Sequence, residues 1–399
     1  MSLKSLIQQL DANGHRAEAA LSLRRALALT PHDGELHDWH GVFAQDRARE
    51  LSQFADTNDP AVLRTLDSAL ASFQLALRLA PRRSDAYFHA GAALGGATVG
   101  RRAEAAAIFA AGAALDPLHP GLVSNHAFRL ISNVRALEGA ALLRIAVSNG
   151  VWERPWQAPG ATFARGLWSR PIFARDDFAC VLDTLEAVAP AMAAEATALL
   201  PEFAVQAEGL ATPAAGWREL NVLARCLGGA DGRAPVRRSC SALNEVVRRA
   251  GGGFSLGGAA FSAIAEGTSL SAHCGSTNER LVVHVGLSVP RPGSARLRLG
   301  EPSAVAAARA SGGGGAADDW SHEEAWAAGR AFVFDDSFAH EVLWRDDGGQ
   351  PLPPPDEAQL EDGEFFATRA RPRVVLILTF RHPGLQAAPV CPSEGQRRN

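Results

Sequence analysis

Residues 329–346 read GRAFVFDDSFAHEVLWRD. Two short apolar runs, 331–334 and 342–344, flank an Asp-Asp-Ser break, and His340 opens the second run. Runs of this length, bounded by Gly and Asp, read as strands joined through a turn. Outward from this stretch the same pattern recurs in AAFSAIAEG (259–267), LVVHVGLSVP (281–290), SARLRLG (294–300) and RVVLILTF (373–380). Several such strands at short spacing predict an all-β sandwich or barrel from about residue 216 onward. Two tracts interrupt the series, one Gly/Ala-rich (about 302–318) and one Pro/Asp/Glu-rich (346–364). Their composition predicts mobile surface insertions, because neither offers enough apolar area to order itself. Gly312–Gly315 is not a phosphate loop, since no Lys-Ser/Thr follows it.

The front of the chain has a different period. GHRAEAALSLRRALALTP (14–31) and GRRAEAAAIFAAGAALDP (100–117) each place a Gly 17 residues before a Pro, with Ala-Glu-Ala at one offset. A third tail, ALASFQLALRLAP, ends at Pro81, and DAYFHAGAALGG (85–96) supplies the helix ahead of the last unit. Small residues let paired helices approach closely, and the Pro stops each second helix. The pattern resembles the tetratricopeptide repeat, with a spacer near 45–60. Such an array implies a groove for a peptide or protein partner. A packing or dimerisation role is the plainer alternative. His32, His37, His40, His89, His119 and His126 share no ligand-like spacing and read as surface or core histidines.

A formal net charge of −4 and the lack of any Lys/Arg cluster interleaved with aromatics argue against nucleic acid. No run of 18 apolar residues suggests a membrane span, and MSLKSLIQQLDANG is no secretory leader. The five cysteines (Cys180, Cys226, Cys240, Cys274, Cys391) are scattered without a CxxC. That scatter predicts thiols, a reducing compartment and a cytoplasmic protein.

The chemistry is sought among the histidines of the strand region. His273, just before one strand, and His340, at the start of another, could face a common metal. Imidazole suits Fe(II), which needs open positions for a co-substrate and oxygen. The usual iron site carries a carboxylate two residues after its first His, where this chain has Gly275. On spacing alone the pair stays open between a metal site and core or surface histidines.

The segments AEGTSLSAHCGSTNERLVVHVGLSVP (265–290), WAAGRAFVFDDSFAHEVLW (326–344) and RVVLILTFRHP (373–383) closely resemble the aspartyl/asparaginyl β-hydroxylase family. The shared pattern is H-x-G-x-x-N, then R-x-x-x-H-x-G-L, then F-D-D-S-F-x-H-E-V, then an Arg opening the last strand. The likeness reaches back through VWERPWQAPGATFARGLWSRPIF (151–173) and GWREL (216–220). It implies a multidomain α+β chain: tetratricopeptide-like helices over 1–145, a joint and supporting helix over 146–215, a double-stranded β-helix (jelly roll, cupin-like) oxygenase domain over 216–385, and a flexible tail over 386–399.

The resemblance also implies roles. Fe(II) would be held by His273 and His340, with water in the place of a carboxylate and Asp336 orienting that water. Arg373 and Ser262 would hold the distal carboxylate of 2-oxoglutarate, with Arg280 and His284 toward the metal end. Dioxygen would complete the reaction, a hydroxylation of an Asp or Asn side chain in a polypeptide. Alternatives are a small-molecule or lipid substrate on the same fold, or a non-enzymatic repeat scaffold with a decayed jelly roll. Trp326 and Phe338 read as core aromatics.

Two departures stand out. Val282 replaces an arginine frequent in the family, and the connection from His340 to Arg373 is lengthened by the Pro/Asp/Glu tract. Cys226 and Cys240 fall near a cysteine pair of the animal members, at wider spacing; a disulfide is one reading, and unpaired buried thiols are the one preferred here.

Overall fold

A computed structural model describes residues 2–52, 59–96, 100–133, 135–206, 210–227, 236–251, 254–291, 293–312, 322–345, 349–385 and 390–391. The chain divides into two compact units, the first ending at His126 and the second beginning at Ala127.

The first unit is built from helix pairs. Its helices are α1 (Leu3–Ala12), α2 (Arg16–Leu29), α3 (Gly34–Ser52), α4 (Pro60–Leu79), α5 (Ser84–Gly95) and α6 (Arg102–Leu115), and α7 (Pro120–Ser132) spans the division. The pairs are α1 with α2, α3 with α4, and α5 with α6. Pro31, Pro81 and Pro117 each stand two residues past the end of a second helix. Small residues do what the repeat reading asks of them. A β-carbon on Gly41 would lie 2.4 Å from the Phe73 ring, and one on Gly91 would lie 2.8 Å from Phe109. The same small-against-Phe contact thus seals two successive pairs. The expected spacer over 45–60 is shorter than its composition suggests, because α3 continues through Ser52. Residues 53–58 of it lie outside the described residues. His40 and His89 are satisfied in place, bonded to Ser72 at 2.8 Å and to buried Asp38 at 2.9 Å.

The second unit opens with α8 (Ala136–Ser148) and holds eleven short strands among its described residues. They are β1 (Ala204–Val205), β2 (Ala211–Thr212), β3 (Trp217–Asn221), β4 (Leu256–Ile264), β5 (Ser269–His273), β6 (Arg280–Ser288), β7 (Ala295–Leu299), β8 (His322–Ala325), β9 (Ala331–Phe334), β10 (His340–Trp344) and β11 (Arg373–Arg381). A six-stranded sheet runs β1-β3-β4-β11-β6-β9 and a five-stranded sheet runs β2-β5-β10-β7-β8. All pairings are antiparallel.

Alternation sorts the side chains of the larger sheet. Phe261, Val283, Leu376 and Phe380 pack outward against α9 (Ala179–Leu199) and α11 (Arg237–Ala250). Ile264, Val282 and Val375 pack inward, in one cluster with Leu270, Leu297, Val342 and Trp344 of the smaller sheet. The two sheets therefore share a core.

Three expectations are corrected here. The tract over 302–318 is not wholly a mobile insertion: α12 (Ser303–Gly312) buries Val305, and the Glu341 carboxylate accepts the Ser303 amide at 2.8 Å and hydroxyl at 3.0 Å. Residues 313–318 lie outside the described residues. Within the tract over 346–364, α13 (Glu357–Glu361) buries Leu360, and α14 (Gly363–Thr368), which begins at its end, buries Phe366, so its later part is anchored; residues 346–348 lie outside the described residues. Buried Arg218 donates to the Leu360 and Glu361 carbonyls at 2.7 and 2.9 Å and lies over the Phe366 ring. A few well-placed apolar residues and one cation order a segment that looks too polar on average.

The third correction concerns the cysteines. Cys226 bonds to Cys240 and Cys180 to Cys391, which leaves Cys274 as the free thiol. Cys391 ties down a point in the expected flexible tail; residues 386–389 and 392–399 lie outside the described residues. The pairing removes the cysteine argument for a reducing compartment. Among the described residues, no helix is long and apolar enough to cross a membrane.

Candidate functional site

The two sheets bring His273 and His340 face to face. They are register partners on β5 and β10, with ring centroids 4.2 Å apart. The register slips by one residue between them and the next pair, Val342 with Leu270. Such a bulge re-aims a side chain. It turns His273 to the side on which Leu270 packs into the shared core. Each ring is fixed from behind: Nδ1 of His273 meets the Ser271 carbonyl at 2.8 Å, and Nδ1 of His340 meets the Phe338 carbonyl at 2.9 Å. A carbonyl can only accept, so both Nδ1 atoms carry a proton, and Nε2 is the nitrogen each ring leaves for another partner. Burial, then the neighbouring His273, holds the His340 pKa well below the usual imidazole value, so that ring stays neutral and ligand-competent.

Asp336 reaches the same place from the turn before β10. Its carboxylate takes the Arg280 guanidinium at 2.7 Å. A β-carbon on Gly275 would lie 2.3 Å from Asp336 Oδ2. The carboxylate therefore fills the space that a side chain at position 275 would need. No group of three or more His, Cys, Asp or Glu with metal-binding geometry occurs among the described residues. Any metal here would rest on two imidazoles and supplement its shell with water or a ligand, which suits an ion that must keep positions open.

The loops that carry these residues are clamped by the Trp/Pro-rich joint. Gly160 and Ala161 donate to the Gly275 and Ser276 carbonyls at 2.8 and 3.0 Å, and Ala339 donates to the Trp156 carbonyl at 2.7 Å. Asn278 accepts from the Ala164 amide and donates to the Ala164 carbonyl. Fully buried Asp335 holds the Ser169 hydroxyl and lies within reach of Gln157 Nε2. Burial lifts its carboxyl to about 7, with the adjacent Asp336 charge adding to the rise.

A second group sits at the other end of β11. Arg373 is 1% exposed, and its Nε and Nη1 have no partner among the described residues. Desolvation depresses its guanidinium to about 9, offset in part by the Glu219 carboxylate. The cation lies 4.2 Å over the Trp326 ring, and the Trp326 indole N–H donates to His284 Nδ1 at 3.2 Å. Ser262, equally buried, accepts the Trp217 indole N–H at 2.9 Å, and it stands two residues from Ile264, the register partner of Arg373. A buried guanidinium with idle donors, two residues along the sheet from a buried hydroxyl, has the chemistry that suits a carboxylate. His284 is held neutral by burial and then by the Arg373 charge.

His273, His340, Asp336 and Arg280 thus form one group, and Arg373, Trp326 and His284 form a second. His382 packs instead against Trp168, and His322 lies on the edge strand β8. Trp326 is a core aromatic, as its sequence suggests, yet it also touches both Arg373 and His284. Trp217 and Asp335 were not foreseen. Asp335 stands inside the F-D-D-S-F motif and Trp217 inside GWREL, which are the available signals, whereas no spacing in the sequence ties Trp326 to Arg373 or His284. Val282 is 4% exposed and part of the shared core.

Residues 186–349 match the family model described as aspartyl/asparaginyl beta-hydroxylase. The human aspartate beta-hydroxylase domain-containing protein 1 is 28% identical over 243 residues, 58% of this chain and 50% of that protein. The mouse aspartate beta-hydroxylase domain-containing protein 2 is 29% identical over 159 residues, 38% of this chain and 34% of that protein. The chain thus spans half or less of these curated relatives. A solved thermophilic TPR protein of Thermus thermophilus is 22% identical, with a TM-score of 0.23, over 36% of this chain and 88% of that one. The resemblance that the motifs carry is found in the whole-sequence comparisons too.

Proposed function

We propose that the chain is an Fe(II)- and 2-oxoglutarate-dependent dioxygenase that hydroxylates a side-chain carbon of Asp or Asn in a polypeptide. The observation that carries this reading is the pairing of two half-sites. Two imidazoles lie ring to ring with their Nδ1 atoms held by carbonyls, and a buried guanidinium keeps idle donors. In this reading the two packed sheets are the double-stranded β-helix of the family.

His273 and His340 would hold Fe(II), and Asp336 would accept a hydrogen bond from a water or ligand proton beside it. Arg373 and Ser262 would take the far carboxylate of 2-oxoglutarate. The Trp326 and Trp217 indoles would exclude water around that pair and fix its geometry. His284, kept neutral, would accept or donate near the co-substrate's other end without adding charge. When bound, the iron, the 2-oxo acid and dioxygen supply the oxidising power for C–H hydroxylation. The protein's own share is orientation: each loop that carries a site residue is clamped by the joint. The first unit carries an apolar cavity of about 290 Å³ lined by Phe73, Leu77, Leu94 and Ile108. That cavity supports a share in holding a polypeptide.

The test is 2-oxoglutarate turnover to succinate by the purified chain with Fe(II), ascorbate, oxygen and a peptide mixture. His273→Ala and Arg373→Ala serve as controls. Succinate formation lost in both variants supports the reading. No succinate, with no calorimetric binding of Fe(II) or 2-oxoglutarate, overturns it in favour of a repeat scaffold.

A further inference from the structure

Two adjacent glutamates on β8 point to opposite faces of the smaller sheet. Glu323 is the register partner of Arg298. On that outer face it meets Arg298, Arg345 and Arg296 at 3.5, 3.3 and 3.8 Å. Glu324 pairs instead with Leu297, which pairs in turn with Val342. Paired residues share a face, and Leu297 and Val342 belong to the core between the sheets. Glu324 therefore stands on the inner face at the margin of that core, and buried Trp326, two residues on, continues the same face. Glu324 is half-buried. Burial raises its carboxyl above the ordinary glutamate value, and among the described residues it makes no ion pair or hydrogen bond.

The margin beside Glu324 is aromatic. β9 ends the order of the larger sheet and β8 that of the smaller, and residues 326–330 join the two. On β9, Phe332 is half-buried and pairs with His284. Its ring centroid lies 6.3 Å from that of Trp326 and 5.9 Å from that of Phe334. Phe334 in turn lies 4.8 Å from His284 and 5.8 Å from His340. The aromatic run thus leads from the Glu324 margin to the candidate metal histidines. A second path runs across the smaller sheet. Exposed His322, on the same face as Glu324, pairs with Leu299, which pairs with His340. Two strand spacings separate β8 from β10, about 10 Å.

We infer that Glu324, at the aromatic margin between β8 and β9, reads a Lys or Arg side chain of the polypeptide substrate. The inference rests on the proposed oxygenase function and adds a substrate class to it. A carboxylate without a partner gains charge-assisted hydrogen bonds from an ammonium or guanidinium group. Aromatic faces attract the same cation and pack against its aliphatic stem. An acidic side chain at this place would instead meet a like charge. An extended peptide advances about 3.3 Å per residue, so the basic residue would stand about two to four positions from the hydroxylated one.

The full chain is supplied with Fe(II), 2-oxoglutarate, ascorbate, oxygen and a randomised dodecapeptide library, and peptides that gain one oxygen are sequenced by mass spectrometry. Wild-type products should be enriched in Lys and Arg at that spacing from the modified residue. In Glu324→Gln, which should melt no lower than wild type, the basic-to-neutral ratio of kcat/KM should fall at least about tenfold, chiefly through KM. Glu324→Arg should turn the preference toward Asp and Glu. Calorimetry without oxygen should show the same loss of affinity for a Lys-bearing peptide in Glu324→Gln. Equal basic enrichment in wild type and Glu324→Gln overturns the inference, as do wild-type products without basic enrichment. Succinate formation stimulated by a free polyamine, with no peptide modified, overturns it in favour of a small cationic substrate. Succinate with neither peptide nor polyamine effect also overturns it and leaves the oxygenase reading standing. Absence of succinate in every arm removes the oxygenase reading, and this inference with it.

Discussion

Gly275 and Asp336 compete for one space. A β-carbon on Gly275 falls 2.3 Å from Asp336 Oδ2, and the Gly275 amide donates to the Asp336 carbonyl at 2.6 Å. The carboxylate near the histidines comes from the turn before β10 rather than from the strand end that carries His273. An acidic side chain at 275 and the present Asp336 exclude one another.

Gly275→Asp should therefore destabilise the protein by overpacking, by about 1–3 kcal/mol, before any effect of like charge. Gly275→Asp combined with Asp336→Gly removes the crowding and should recover most of the loss. Thermal denaturation of the two variants beside wild type checks this. A single Gly275→Asp variant that melts like wild type would show that the space is not shared.

Arg373 offers a test in the opposite direction. Its guanidinium is buried with two nitrogens unpartnered, so the ligand-free protein carries the cost of a desolvated charge. Replacing such a charge by an apolar side chain of similar length is often neutral or stabilising. Arg373→Met should hold or raise the ligand-free melting temperature, yet lose the stabilisation given by 2-oxoglutarate. That stabilisation should approach about 2.7 kcal/mol at a hundredfold excess over Kd in wild type. A Met variant still stabilised by 2-oxoglutarate would remove Arg373 from the co-substrate site.

What could be read from the chain follows from how local each signal is. His273, Asp336 and His340 sit in short motifs, and the strands around them alternate clearly, so their neighbourhood was legible. The Trp326 contact with Arg373 joins residues 47 positions apart, and the Cys180–Cys391 bond joins residues separated by 211. Neither leaves a periodic trace. The 346–364 tract misled for a related reason. Its average composition is polar, but Leu360 and Phe366 are enough to dock it once Arg218 takes its carbonyls.

Asp335 predicts a pH dependence of stability. Burial raises its carboxyl from 3.8 to about 7, so the folded state holds the proton more tightly than the unfolded chain does. This stabilisation is present at low pH and is lost as pH rises from about 4 through about 7. Asp335→Asn mimics the protonated acid and keeps a hydrogen-bonding partner for Ser169. Between about pH 5 and about pH 8 the wild-type protein should lose stability that the Asn variant retains. Parallel melting curves over that range decide it, and equal slopes would mean that Asp335 is ionised throughout.

The disulfides carry the last prediction. Intact mass spectrometry of denatured, unreduced protein treated with an alkylating agent should show one label, on Cys274, and five labels after reduction. The two bonds should differ in weight. Closing the loop between Cys226 and Cys240, a sequence separation of 14, restricts the unfolded chain by about 3 kcal/mol, whereas the separation of 211 between Cys180 and Cys391 restricts it by roughly 5 kcal/mol. Cys391→Ser should therefore lower the melting temperature more than Cys226→Ser. The labelling also bears on where the protein works, since paired cysteines persist in oxidising compartments and thiols in the cytosol. Five labels without reduction would restore the thiol reading, and with it the cytosolic one.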